Sequence, residues 1–385
     1  MLQKIFTIII IGLIGASAYI YWNYSKNREL ISPYPYSLTS AFDKKFRAQN
    51  AREIALASET KILIVGDQMG LTLNAHIEEI KKQFSTITST PPEIYNWSKA
   101  NEPLFRTIYK LKTLKKIPPV VVYFGASSEL KEKKFEVYDK KNILRNFKTF
   151  DDEKIISLII TFPWLSKIFY RNLDYQDLNE QVVYESMLSS DEKLLEKEVS
   201  FKLFEYEVKE LIDLIKDKKS SLVIITTPLN LTIEPKEVCI HSSSDDIALV
   251  QQEIDTDIKQ GAFKIAYPKA LELASITQSN ALSYYLLGMS ALGLGDIKSA
   301  RESLNKATAF DCANWRGNAV YNAILKKYAH EKMAQVIDFD QFMSSQLLKD
   351  GLFIDEFIPQ NIFYQFMVDE LSGALKKILS NSIGK

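Results

Sequence analysis

Two cysteines, three histidines and no excess of either charge sign already limit what this 385-residue chain can do. Lys and Arg number 48 and Asp and Glu also number 48, so the formal charge is zero. Neutralising phosphates needs a clustered basic excess, and no nucleic-acid partner is expected. The two Cys (Cys239, Cys312) and three scattered His (His76, His241, His330) show no ligand spacing, so neither a zinc centre nor any other cofactor is expected. Long apolar runs are also lacking, with a single exception, which excludes a polytopic membrane protein. What is present is aromatic and apolar: 21 Phe, 19 Tyr and 25% charged residues rule out extended disorder. The length allows two or three domains of roughly 150 residues.

The exception is Ile5 to Trp22, IFTIIIIGLIGASAYIYW, with Lys4 before it and Lys26 and Arg28 after it. It is long enough to cross a bilayer once. One reading is a signal peptide cleaved after Ala16, Ser17 and Ala18. The other, favoured by the length of the run and by the interfacial aromatics Tyr21, Trp22 and Tyr24, is an uncleaved anchor over residues 1–25. Either way the rest of the chain is expected outside the cytoplasm, periplasmic or at the cell surface. No Cys follows the run, which argues against a lipoprotein. Such a compartment permits Cys239 and Cys312 to pair; two unrelated buried thiols are the alternative.

Residues 26–59, with SPYPYS and mixed charge, read as a tether. Beyond it, KILIVGD gives a buried strand at 62–65, followed by a helix carrying Leu73, Ile77, Ile80 and Phe84 on one face. EIYNW (93–97) is a second strand, Leu104, Ile108, Leu111 and Leu114 mark another helix, and PPVVVYFG (118–125) is a third strand. A long helix over about 192–218 precedes the strand SLVIITT (221–227), and AQVIDFD (334–340) is the last strand. Val/Ile-rich strands alternating with helices predict a parallel sheet covered on both faces, a three-layer α/β/α, flavodoxin-like arrangement.

Between the last two strands the chain turns helical and Ala-rich. Tyr284, Leu287, Gly288, Ala291, Gly295, Ala300, Leu304 and Ala307 follow the pattern of a tetratricopeptide helix pair. Gly261, Ala266 and Ala270, 34 residues upstream of Gly295, Ala300 and Leu304, suggest an earlier repeat from about Ile247, with Pro268 interrupting its second helix. The insert is placed at 246–312, and the α/β domain at 60–245 and 313–385. As a function, the insert is read either as a partner-binding groove or as a cover over one face. If it folds back across its own start, Cys239 and Cys312 close a long loop as a disulfide.

Ligands of an open parallel sheet bind at the carboxyl ends of its strands. There stand Val65-Gly66-Asp67-Gln68-Met69-Gly70 and Tyr123-Phe124-Gly125-Ala126-Ser127-Ser128-Glu129, with Asp355-Glu356-Phe357-Ile358-Pro359 before the last helix. In these three places, over about residues 60–380, the chain resembles the SGNH/GDSL hydrolases, in the form that carries a tetratricopeptide insert. That family has Gly-Asp-Ser after the first strand, Gly-x-Asn after the third and Asp-x-x-His-Pro before the last helix. The resemblance makes Asp67 a structural residue of the turn and Asp355 the triad carboxylate.

The chemistry the resemblance implies is largely missing. Gln68 replaces the nucleophilic Ser, and a carboxamide does not attack an ester. Trp97-Ser98-Lys99-Ala100-Asn101 offers no oxyanion-hole Gly, Ser127 stands near the oxyanion-hole Asn, and Ile358 replaces the His. Possible substitutes are Ser127 or Ser128 as nucleophile, His76, His241 or His330 as base, and Asp67 facing Asp355 as an acid/base pair. Trp315-Arg316-Gly317-Asn318, with Asn322, offers a cation, amides and an aromatic face for a carboxylate or a sugar, or else Arg316 anchors the insert. The expectation is a membrane-anchored, extracytoplasmic SGNH-fold protein with a degenerate active site. It would bind an envelope glycan, an acyl group or a protein partner through Gln68, Ser127, Ser128, Trp315, Arg316, Asn318 and Asp355. The alternative is an esterase or O-acyltransferase of envelope polysaccharide that uses non-standard residues.

Overall fold

A computed structural model describes residues 2–27, 51–84, 91–129, 152–169, 189–239, 245–313, 315–332 and 334–383. From the N-terminus its elements are α1 (Leu2–Asn27), α2 (Ala51–Glu59), β1 (Ile62–Gly66), the short α3 (Gln68–Thr72), α4 (Ile77–Phe84), β2 (Ile94–Asn96), α5 (Leu104–Thr113), β3 (Val120–Phe124), α6 (Glu153–Thr161) and α7 (Ser166–Phe169). There follow α8 (Ser190–Asp217), β4 (Ser221–Ile225), α9 (Asp245–Lys259), α10 (Phe263–Ile276), α11 (Ala281–Gly293), α12 (Ile297–Phe310), α13 (Ala319–Glu331), β5 (Gln335–Ile337), α14 (Phe339–Ser344) and α15 (Tyr364–Ile383).

The chain divides into two compact units, residues 1–49 with 133–181, and residues 50–132 with 182–385. In the first, α6 lies against α1. The apolar side chains Ile9, Ile11, Leu13 and Ile14 of α1 are exposed. The side chains of residues 1–5 and 8 lie outside the described ones, and among the described residues no helix is long and apolar enough to cross a membrane. The transmembrane helix expected over 1–25 therefore finds no support among them.

The second unit is built on a five-stranded parallel sheet in the order β2-β1-β3-β4-β5. The expected parallel sheet is therefore present. Side chains alternate across a strand, and both faces here are apolar. Leu63, Val65, Val121, Tyr123, Leu222 and Ile224 point into one core with α5, α8 and α13. Ile62, Ile64, Val120, Val122, Val223 and Ile225 point into the other, against α4, α14 and α15. The expected tether runs too far, because α2 seats Ala57 and Ile54 in the first core and the folded unit begins at Ala51. Residues 28–50 of that tether lie outside the described residues. A capping box starts α8, in which the Ser189 hydroxyl and the Glu192 carboxylate satisfy each other's backbone N–H groups.

Residues 245–310 form two helix pairs, α9–α10 and α11–α12. Small residues set how closely the helices cross: a Cβ at Gly288 of α11 would collide with Leu304 of α12. The earlier pair shares a core of Ile254, Ala266, Ala270, Leu273 and Ala274 with Leu286 and Leu287. Pro268 does not interrupt this pair, because α10 runs through it from Phe263 to Ile276. Leu304 also joins the second sheet core, with Tyr285, Met289 and Leu292 packed beside it, so the insert rests on the α/β core.

Candidate functional site

The chain leaves β1 for β2 on one side and returns to β3 on the other, so the loops after β1 and β3 diverge at a topological switch point. Asp67, Gln68, Ser127 and Ser128 sit there. Close approach of the two strand ends requires Gly66, which has φ 143°, and whose Cβ would run into the Phe124 carbonyl. Asp67 caps α3, its Oδ1 accepting the Met69 N–H at 2.9 Å. Its Oδ2 accepts both the backbone N–H and the hydroxyl of Ser127, each at 2.7 Å. Burial pushes the Asp67 carboxyl up, and those hydrogen bonds pull it back.

Gln68 lies across the cleft with both ends of its carboxamide hydrogen-bonded. Its Nε2 donates to Ser127 Oγ at 2.6 Å, and its Oε1 accepts the Ser128 hydroxyl at 2.7 Å and the Asn101 N–H at 3.2 Å. Asn101 holds φ 56° to present that N–H, a conformation Asn tolerates better than most residues. Ala126, at φ 77°, aims Ser127 and Ser128 at the same amide. Ser127 and Ser128 are buried, as is Asp67 beneath them. Gly317 closes over this group: a Cβ there would sit 3.4 Å from Ser127 Cα and 3.1 Å from Leu229. Gln68 thus bridges Ser127 and Ser128, and the Ser127 hydroxyl donates to Asp67.

The remaining candidates fall elsewhere. Asp355 is exposed, and its Oδ1 accepts the N–H groups of Phe357 and Ile358 at 2.7 Å each, in a turn of its own. Its hydrogen bonds stay within that turn and those of Asp67 go to Met69 and Ser127, so no bond joins the two carboxyls. His76 is buried with its ring stacked on Tyr364, centroids 5.0 Å apart, and its Nδ1 3.7 Å from Glu79. Burial pushes the Tyr364 phenol up to about 12. His330 is exposed in the last turn of α13, just before β5 begins and so at the far end of the sheet. His241 and Ser242 to Ser244 lie outside the described residues.

Arg316 is buried and turned inward. It donates to the carbonyls of Asn230 at 3.1 Å and Ile233 at 3.3 Å and pairs with Asp311 at 3.4 Å. Asn318 caps α13 and donates to the Thr308 carbonyl at 3.0 Å, while Asn322 pairs with both backbone groups of Thr227. Arg316 and Asn318 tie the end of the insert to the α/β core, and Asn322 joins α13 to the segment after β4, so all three are engaged within the fold. Trp315 is half-buried between two cations, Lys236 at 3.8 Å and Arg316 at 4.6 Å from its ring, with its N–H on Asp311. Cys239 and Cys312 are joined in a disulfide, Cα atoms 5.9 Å apart, where the insert begins and ends.

Several residues escaped the sequence reading. Asp311 accepts from the Lys236, Glu237 and Ala313 backbones as well as from Trp315 and Arg316. Asn96 bridges the Gly70 carbonyl and the Ser98 N–H, stitching β2 to α3. Asp340, buried beside the end of β4, accepts the Leu229 N–H, and burial pushes its carboxyl up to about 7. Among the described residues no group of His, Cys, Asp and Glu is arranged to hold a metal ion. No family model matches the chain, and no curated protein does. A solved structure similar to it is that of a candidate acylhydrolase from Bacteroides fragilis, at 12% identity and a TM-score of 0.36, with 86% of this chain and 95% of that one covered.

Proposed function

We propose that the protein is a non-catalytic, SGNH-fold binding module, tethered by its N-terminal helix outside the cytoplasm, whose partner is an envelope glycan, an acyl group or another protein. The observation that carries this reading is the chain of hydrogen bonds that runs from Ser128 through Gln68 and Ser127 to Asp67. An acyl-transfer site needs an exposed nucleophile, a base within hydrogen-bond reach and donors left open for an oxyanion. At this strand end the carboxamide fills the nucleophile's place and consumes the two hydroxyls. The Ser127 hydroxyl faces a carboxylate, not an imidazole, and is itself buried.

The test is hydrolysis of acetyl and short-chain acyl esters by the full chain, with fluorophosphonate labelling in parallel. No turnover above a heat-denatured control and no labelled serine is the expected result. Turnover that disappears in Ser127→Ala would replace this reading with the esterase or O-acyltransferase alternative, with Ser127 as the displaced nucleophile.

A further inference from the structure

The unit formed by residues 1–49 and 133–181 contains an apolar segment that the reading above leaves unused. Residues 155–166, IISLIITFPWLS, carry no charge and are bounded by Lys154 and Lys167. They form α6, a 3-10 turn at Pro163–Leu165 and the start of α7. Asp152 caps α6 by accepting the Lys154 and Ile155 N–H groups, and the chain turns at Pro163, which cannot continue the helix's hydrogen bonding.

A helix at a water-facing surface turns apolar residues in and polar ones out. Here Ile159 and Ile160 are buried, yet Leu158, Trp164 and Ile168 are 47%, 60% and 62% exposed. The helix lies against α1, in which Phe6, Ile9, Ile11, Leu13 and Ile14 are also exposed. Twelve residues reach about 18 Å as a helix, well short of the ~30 Å hydrocarbon core, so the segment cannot span. A short, uncharged helix with Phe162 and Trp164 at its end matches the composition of a segment lying at the headgroup boundary.

We infer that residues 153–169 are a second membrane contact, lying in the bilayer interface beside α1 and inserting Leu158, Trp164 and Ile168 among the lipids. The inference rests on the reading of α1 as a membrane tether, because a helix packed along such a tether is held at membrane depth. Its partner is a phospholipid bilayer, recognised through apolar burial and the interfacial preference of Trp.

The full chain, reconstituted into phosphatidylcholine vesicles with brominated acyl chains, tests it through tryptophan quenching. Trp22 and Trp164 are both exposed, and Trp97 is buried in the sheet core. The expected result is that the Trp22→Phe protein keeps a bromolipid-quenched component, which is lost when Trp164→Phe is added. Quenching that survives in Trp164→Phe but is absent from Trp22→Phe would place α1 in the bilayer and overturn the inference alone. Quenching of neither residue would overturn both the inference and the tether. Quenching of Trp164 without Trp22 would keep the interfacial contact and discard the tether.

Discussion

Gln68 and Asp340 each stand just past a strand end, Gln68 half-buried and Asp340 buried. At Gln68 an uncharged amide satisfies two hydroxyls and one N–H without any cost of ionisation. At Asp340 a carboxyl is buried with the Leu229 N–H on its Oδ1, while Asp338 nearby opposes its charge and Lys326 favours it. Its folded value of about 7 lies above the ordinary carboxyl value of 3.8, so the protonated form is the one that stabilises the fold. That contribution is complete below about pH 4 and is lost as pH rises through about 7. Asp340→Asn keeps an acceptor for Leu229 and cannot ionise. Denaturant unfolding should therefore show the wild type losing stability relative to Asp340→Asn between pH 4.5 and 7.5, on the order of a few kcal/mol. Parallel pH profiles would show that Asp340 stays ionised through folding.

The strands were readable as Val/Ile-rich runs because both of their faces are buried, but their ends were not. The run AQVIDFD continues past the sheet, and Asp338 ends it by capping α14 through the Gln341 N–H at 3.1 Å. Asp67 and Ser127 could be found from strand ends alone, since parallel topology brings those ends together. Asp311 and Asp340 could not, because the Glu237 and Leu229 N–H groups they accept lie 74 and 111 residues away. Pro268 stays inside α10 for a related reason: the packing of Ala266, Ala270 and Leu273 holds the helix together across the missing N–H. The same packing makes Gly288 a sharp test of the insert. Gly288→Ala would drive a methyl group against the Leu304 side chain, with its backbone N only 3.1 Å away. Ala outranks Gly by about 1 kcal/mol as a helix former, while overpacking costs about 1–3 kcal/mol. A net loss in thermal unfolding is expected, and a gain would mean that α11 and α12 separate freely.

At the scale of the second unit, the insert is fastened where it leaves and rejoins the α/β core. Val238 and Asp311 form an antiparallel bridge, Cys312 donates to the Glu237 carbonyl at 3.1 Å, and Lys193 pairs with Glu237. Lys197, from α8, donates to the Asp311 carbonyl, and burial pulls its ammonium down to about 8. These contacts exist only in the folded state, whereas the Cys239–Cys312 bond also restrains the unfolded chain across 73 residues. The loop-entropy relation for that separation gives about 4 kcal/mol. Because Asp311, Arg316 and Lys197 still hold the seam, a Cys239→Ala, Cys312→Ala protein should fold with the same far-ultraviolet circular dichroism. In urea it should unfold with a stability lower by about that amount and a steeper dependence on denaturant, since its unfolded chain exposes more surface. A loss below about 1 kcal/mol would mean that the unfolded chain already holds the two ends of the insert together.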